Sequence, residues 1–334
     1  IAPGFGLHYS LHEALRVLLN GICCYFPTRK IWVNPKLYVR NAFSPYLRRF
    51  PISDYSRPLE VKRDYVFFIS SLWNKKESIF ADFNNDGWLD IYFGNETRRD
   101  TEKYPCELFL SDGKGKFKNV AKEAGADILC FAKGVAASDY NNDGYMDICI
   151  SSQGTENFLL RNDTGKNGGK IKFTDVTKEA GVGLPIKSFP VAFLDFNNDG
   201  WQDLTIQTYD AENCDYDNAA EYFNKPVKGE YSILYKNNGD GTFTDITKEM
   251  NMQVAMTVMG FSFGDLDNDG WMDICSGTGT PNYTSLVPKR MFRNNEGKSY
   301  QDITHSGGFG HLQKGHGIGF GDVDNDGDQD VYED

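Results

Sequence analysis

Five stretches of this sequence place oxygen-bearing side chains at a spacing that suits a hard cation. Asp82, Asn84, Asp86 and Asp90 recur as Asp139, Asn141, Asp143 and Asp147, then as Asp195, Asn197, Asp199 and Asp203. Two further copies carry Asp265, Asp267, Asp269 and Asp273, and Asp322, Asp324, Asp326 and Asp330. These residues occupy positions 1, 3, 5 and 9 of a nine-residue loop, and position 6 is glycine in every copy, where a tight wrap around an ion needs a positive φ. Alternate side chains of a curved loop point inward together. Position 7, held by Trp88, Tyr145, Trp201, Trp271 and Asp328, can add its backbone carbonyl, and the Asp at position 9 closes the shell. An all-oxygen set rich in carboxylates favours Ca²⁺ over Zn²⁺ or Cu²⁺, which prefer His or Cys. Without a cation the clustered carboxylates repel by on the order of 1 kcal/mol per pair in water, and by more when partly buried.

Asp, Asn and Gly are also ordinary turn residues, but five copies with Asp at positions 1, 5 and 9 exceed what turn preference requires. An EF-hand loop begins the same way and needs Glu at position 12. Four copies have Phe93, Ile150, Ile206 and Ser276 there, and only the last offers Glu333. The flanks read as strands rather than helices: short apolar stretches such as Ile91-Tyr-Phe and Ile148-Cys-Ile follow the loops.

The loops start at residues 82, 139, 195, 265 and 322, a repeat of about 57 residues broken by one spacing of 70. Between them lies a second element, clearest as Asn237-Asn-Gly239-Asp-Gly241-Thr-Phe243-Thr-Asp245-Ile-Thr247, whose Asn-Gly turns are hairpin signals. Two hairpins per unit give four antiparallel strands, and a four-stranded unit repeated in series is a propeller blade. The long spacing is an acidic insert near Tyr209 to Tyr231, expected as a surface loop on one face and a candidate for specificity.

These D-x-[DN]-x-D-G-x-x-D loops and the hairpins between them resemble FG-GAP/VCBS repeats, the calcium-loop repeats also found in integrin α-subunit heads. The stretch Gly310-His311 through Asp334 is similar to the narrower ASPIC/UnbV (cartilage acidic protein-like) group. The resemblance covers about residues 78–334. It implies an all-β fold, a β-propeller of four-stranded blades with Ca-binding loops, seven-bladed when complete. The chain shows four complete units and the start of a fifth, so a propeller truncated at its C-terminus is expected.

Residues 1–63 differ in character, with ten Lys/Arg against three acids, and a short amphipathic stretch at Leu11–Leu19 followed by five prolines. They form a basic N-terminal segment of unclear fold: the tail of a preceding helical domain, degenerate blades or a mistranslated stretch. Residues 64–334 are assigned to the propeller. The formal charge of −12 is concentrated in the loops, and five Ca²⁺ ions would cancel ten of those charges, which speaks against nucleic acid as a partner. Seven cysteines form no metal pattern and are too few for a disulfide scaffold, although one or two bridges fit. No apolar run is long enough to cross a membrane as a helix. The chain opens at Ile1 with no recognisable signal peptide, as a fragment or a processed chain would.

Outside the loops, His311, Lys314 and His316 are three of the few side chains with reactive potential; no third metal ligand accompanies the histidines, and a packed, glycine-rich strand entry is the expected role. No Ser-His-Asp spacing, phosphate loop or CxxC pair is present. The sequons at Asn95, Asn162 and Asn282 matter only in a secreting eukaryote. The reading is an extracellular, cell-surface or periplasmic calcium-binding module with up to five Ca²⁺, non-catalytic, engaging a protein or a glycan. The alternative is a carbohydrate-active lyase or hydrolase built on the same propeller.

Overall fold

The computed structural model describes residues 77–97, 104–282, 285–312 and 314–333. The expectations for residues 1–63, and the boundary at 63/64, lie outside them.

From Glu77 onward the chain builds four antiparallel sheets, each in sequence order. The first comprises β1 (Glu77–Ala81), β2 (Asp90–Gly94), β3 (Glu107–Ser111) and β4 (Phe117–Asn119). The second has β5 (Ala132–Ser138), β6 (Asp147–Ser152), β7 (Phe158–Asn162) and β8 (Phe173–Asp175). The third has β9 (Ser188–Leu194), β10 (Asp203–Thr208), β11 (Ile233–Asn237) and β12 (Phe243–Asp245), and the fourth β13 (Val258–Gly264), β14 (Asp273–Thr278), β15 (Arg290–Asn294) and β16 (Tyr300–Asp302). A fifth unit contributes β17 (Ile318–Gly321) and β18 (Asp330–Glu333). The first strands of consecutive units are neighbours, so the sheets stand side by side as propeller-like blades.

The second strand of each complete blade is buried along its whole length. β2 and β6 accordingly carry apolar residues on both faces, at Ile91–Phe93 and Ile148–Ile150, whereas β10 and β14 bury Thr205, Gln207, Ser276 and Thr278 as well. Between blades, the aromatic at loop position 2 meets an aromatic on the fourth strand of the next blade. Phe83 packs on Phe173 with ring centroids 5.9 Å apart, Tyr140 on Phe243 at 5.6 Å and Phe196 on Tyr300 at 6.5 Å. The core is therefore inter-blade, and each blade covers its neighbour's face.

The D-[IV]-T signature after the fourth strand also has a structural cause. Asp175, Asp245 and Asp302 accept hydrogen bonds from the backbone N–H of Thr177, Thr247 and Thr304. Those threonine hydroxyl oxygens in turn accept the N–H of Leu159, Leu234 and Met291 at 2.9–3.0 Å, fastening the segment after the fourth strand back to the third. Two of the links to the next blade are single-turn helices, α1 (Ala121–Ala124) and α2 (Thr177–Ala180), each closed by a glycine in the left-handed conformation.

The insert departs from the surface loop expected from sequence: it contains α3 (Cys214–Tyr222) and is tied down by carboxylates. Asp217 accepts the N–H groups of Lys228 and Gly229 at 2.7 and 2.8 Å, and Glu230 accepts those of Ile186 and Lys187 at 3.0 and 2.8 Å. No helix among the described residues is long and apolar enough to cross a membrane.

Candidate functional site

Each nine-residue loop joins the first two strands of its unit. In the first, Asp82 accepts the backbone N–H of Asp86 and Gly87, Asn84 accepts that of Asp86, and Asp86 accepts that of Trp88. Side chains at positions 1, 3 and 5 are thereby curled against the amides of positions 5, 6 and 7. The same bonds recur in the second, third and fifth loops. The position-6 glycines have φ between 85° and 101°, as the motif requires. In each loop a second residue, the Asn at position 4, also has a positive φ: Asn85, Asn142, Asn198, Asn268 and Asn325.

The buried anchor is the Asp at position 9. Asp90, Asp147, Asp203 and Asp273 are fully buried. One oxygen of each accepts the N–H of loop position 2 (Phe83, Tyr140, Phe196 and Leu266), and the other accepts an N–H at the end of the third strand (Ser111, Asn162, Asn237 and Asn294). In the fifth unit Asp330 is exposed and, among the described residues, accepts the N–H of Val323 without a third-strand partner.

Burial pushes these carboxyls up, Asp90 and Asp203 to about 7, Asp147 to about 8 and Asp273 to about 6. Backbone amides pull the other way, and the neighbouring loop carboxylates add to the rise. Such a cluster is short of positive charge. In the fourth and fifth loops, where position 3 is Asp, carboxylate oxygens of Asp265, Asp267 and Asp273, and of Asp322, Asp324 and Asp330, lie within 4.8 Å of one another and could hold a metal ion. The first three loops put an Asn amide at position 3, and its nitrogen donates to the position-5 carboxylate at 2.8–3.1 Å.

Three basic side chains reach position-5 carboxylates from the outer hairpins: Lys166 to Asp143 at 4.0 Å, Lys236 to Asp199 at 3.6 Å and Arg293 to Asp269 at 3.4 Å. Arg293 also binds Asp267 at 2.5 Å. The position-7 rings turn outward from the loop onto the hairpin of their own blade. A Cβ on Gly113, Gly165, Gly239 or Gly297 would meet Trp88, Tyr145, Trp201 or Trp271 at 2.2–3.1 Å, which explains a glycine at that turn.

The loops are also stitched to one another, a feature that the motif alone did not reveal. The position-4 Asn donates to the carbonyl of the position-6 glycine one blade on: Asn85 to Gly144, Asn142 to Gly200, Asn198 to Gly270 and Asn268 to Gly327, at 2.8–3.3 Å. A second clasp comes from the buried Asn ending each third strand. Asn162, Asn237 and Asn294 each donate to the position-2 carbonyl of the preceding blade (Phe83, Tyr140 and Phe196) at 2.8 Å. The same amides also reach the position-8 carbonyl of their own loop, at Met146, Gln202 and Met272. The Asn162 and Asn95 sequons are accordingly closed to glycosylation in the folded chain, whereas Asn282 is exposed.

Two further expectations resolve. Glu333, the single acid at an EF-hand position 12, turns to the buried Lys289 of the preceding blade. Lys314 gives its ammonium to the carbonyls of Thr280 and Asn282, while His311 and His316 are exposed.

Comparison with known proteins follows the repeat. A family model described as an FG-GAP-like repeat matches residues 82–150, 139–206 and 227–276. Human cartilage acidic protein 1 is 28% identical over 204 residues, which is 59% of this chain and 28% of that protein. The Mus musculus protein of the same name is 27% identical over 207 residues, again 28% of its length, so the match spans little more than a quarter of these relatives. Among solved structures, an Agrocybe aegerita lectin that recognises non-reducing terminal N-acetylglucosamine aligns at TM-score 0.40 and 19% identity, over 78% of this chain and 60% of that one. The V. cholerae biofilm matrix protein Bap1 aligns at TM-score 0.34 and 14% identity, over 72% of this chain and 42% of its own. With its loops, hairpins and inter-blade bonds repeating in register with the family model, this chain belongs to the FG-GAP-like repeat family.

Proposed function

We propose that residues 64–334 form a calcium-pinned propeller-like module that binds a protein or a glycan outside the cytosol and carries out no chemistry of its own. The observation that carries this reading is the convergence of Asp265, Asp267 and Asp273, and of Asp322, Asp324 and Asp330, to within 4.8 Å. Oxygen donors at this density fit Ca²⁺, and the Asn-for-Asp exchange at position 3 in the other loops retains an oxygen donor. In each loop the side chains at positions 1, 3, 5 and 9 would hold the ion, with the carbonyl of Trp88, Tyr145, Trp201, Trp271 or Asp328. The ion would supply the positive charge that the buried position-9 carboxylates lack.

Sites that depend on millimolar Ca²⁺ are filled outside cells and empty in a calcium-poor cytosol, which supports an extracellular, cell-surface or periplasmic location. Similarity to proteins named for cartilage is in keeping with that. The partner surface is assigned to the insert, which breaks the repeat and presents Tyr222 and Phe223 at 81% and 67% exposure. Large exposed aromatics held on a braced helix are suited to recognition.

The test is thermal unfolding of the full chain in EGTA, in Ca²⁺ and in Mg²⁺, with bound calcium counted by mass spectrometry. A large rise in midpoint with several retained ions supports the reading, and a chain that neither retains calcium nor is stabilised by it overturns it.

A further inference from the structure

Two buried cysteines meet at the edge of the blades that lies away from the loops. Cys106 precedes β3 of the first blade and Cys130 precedes β5 of the second. Both lie in one hydrophobic cluster, at 0% and 5% exposure, and their thiols face each other. The surrounding backbone holds them there. Cys106 N–H donates to Ile128 O at 2.8 Å, Thr97 N–H donates to Cys130 O at 3.2 Å, and Ala132 N–H donates to Asn95 O at 3.3 Å. The Tyr92 hydroxyl, which donates to Ala126 O at 2.9 Å, also lies against the Cys106 sulfur. Among the described residues, the other buried thiols stand in separate elements, Cys149 in β6, Cys214 in α3 and Cys275 in β14.

We propose that Cys106 and Cys130 form a disulfide when the chain folds in the presence of a disulfide oxidant, such as a glutathione or protein disulfide. The Cys130 thiolate attacks the oxidant, releasing one thiol and leaving a mixed disulfide on Cys130. Cys106 then attacks the Cys130 sulfur as its thiolate and expels the second thiol. Two cysteine thiols are oxidised, one oxidant disulfide is reduced to two thiols, and the protons pass to the leaving thiolates. The bridge joins the first blade to the second at the end opposite Asn85 and Gly144, so the two edges of this interface are fastened by different means. The inference is independent of calcium.

The experiment exports the full chain to an oxidising periplasm, denatures it without reductant, alkylates free thiols and maps the peptides. The expected result is a cross-linked pair of peptides carrying Cys106 and Cys130, with Cys149, Cys214 and Cys275 alkylated. Alkylation of both Cys106 and Cys130, or their linkage to other cysteines, overturns the proposal. As a second readout, reduction should lower the unfolding midpoint of the parent chain by roughly 5–10 °C and leave that of Cys130→Ser unchanged. An equal shift in both also overturns it.

Discussion

The side-chain amide of Asn85 donates to the backbone carbonyl of Gly144, 2.8 Å away in the loop of the next blade. Asn85 stands between the position-3 and position-5 oxygens of its own loop, in the left-handed conformation, and Gly144 is the glycine around which the following loop turns. Closing one loop therefore orients the donor that braces the next, and the contact recurs through Asn142, Asn198 and Asn268. Asn142→Gly keeps the backbone conformation accessible and removes the amide. The expected outcome is a loss of about 1 kcal/mol and a calcium titration less steep than that of the parent chain. An unchanged steepness in calorimetric titration would show that the loops fill independently.

The position-9 carboxyls set a pH dependence whose sign differs with and without calcium. Burial raises Asp90, Asp147 and Asp203 to about 7, 8 and 7, and Asp273 to about 6, from an ordinary 3.8. Between about pH 4 and pH 8 the calcium-free folded state thus holds more protons than the unfolded chain, and its stability falls as pH rises. In EGTA the unfolding midpoint should be several degrees lower at pH 8 than at pH 5. Calcium competes with those protons, so saturating Ca²⁺ should flatten or reverse the slope and release protons on binding at pH 6.5. Equal slopes with and without calcium would remove position 9 from the binding set.

Arg293 is expected to compete with the ion in the fourth loop. Its guanidinium lies 2.5 Å from Asp267 and 3.4 Å from Asp269, and both members are partly exposed, so the pairing is worth at most about 1 kcal/mol. Arg293→Gln should lower calcium-free stability slightly and raise the affinity of one site by up to about fivefold. The first blade has Leu110 at the matching strand position and no such competitor from that strand. A fall in affinity in the variant would mean that Arg293 helps to hold the loop for the ion.

Much of the fold was legible in the sequence because the repeat writes its turns explicitly. Asp, Asn and Gly at fixed offsets dictate the loop, and Asn-Gly with D-[IV]-T dictates the outer hairpin. Position 7 recurs as Trp88, Trp201 and Trp271, but the closeness of those rings to Gly113, Gly239 and Gly297 needed coordinates. The position-4 Asn looked like turn chemistry because its partner lies about 60 residues away in the sequence, beyond any local pattern. The insert was hidden for a different reason: α3 has a weak apolar stripe, Asp217 closes the insert on itself and Glu230 ties it to the blade, and both acids read as mere acidity.

Asn237 offers the sharpest test of how the blades are joined. It is buried, its amide bridges Tyr140 O at 2.8 Å in the preceding blade and Gln202 O at 2.9 Å in its own, and its carbonyl oxygen accepts the N–H of Gly239 at 2.9 Å. Asn237→Asp keeps the shape and that acceptor but removes both donors, placing a carboxylate beside two carbonyl oxygens and near Asp203. Asn237→Ala leaves the carbonyls without a partner in a site closed to water, at a cost of roughly 2–4 kcal/mol. Asp should therefore be the worse of the two, although it is closer to Asn in size, and calcium should rescue neither completely. If Ala and Asp were equally mild in thermal unfolding, the amide bridge would be incidental, and cohesion of these blades would have to rest on contacts such as Tyr140 with Phe243 and Asn142 with Gly200.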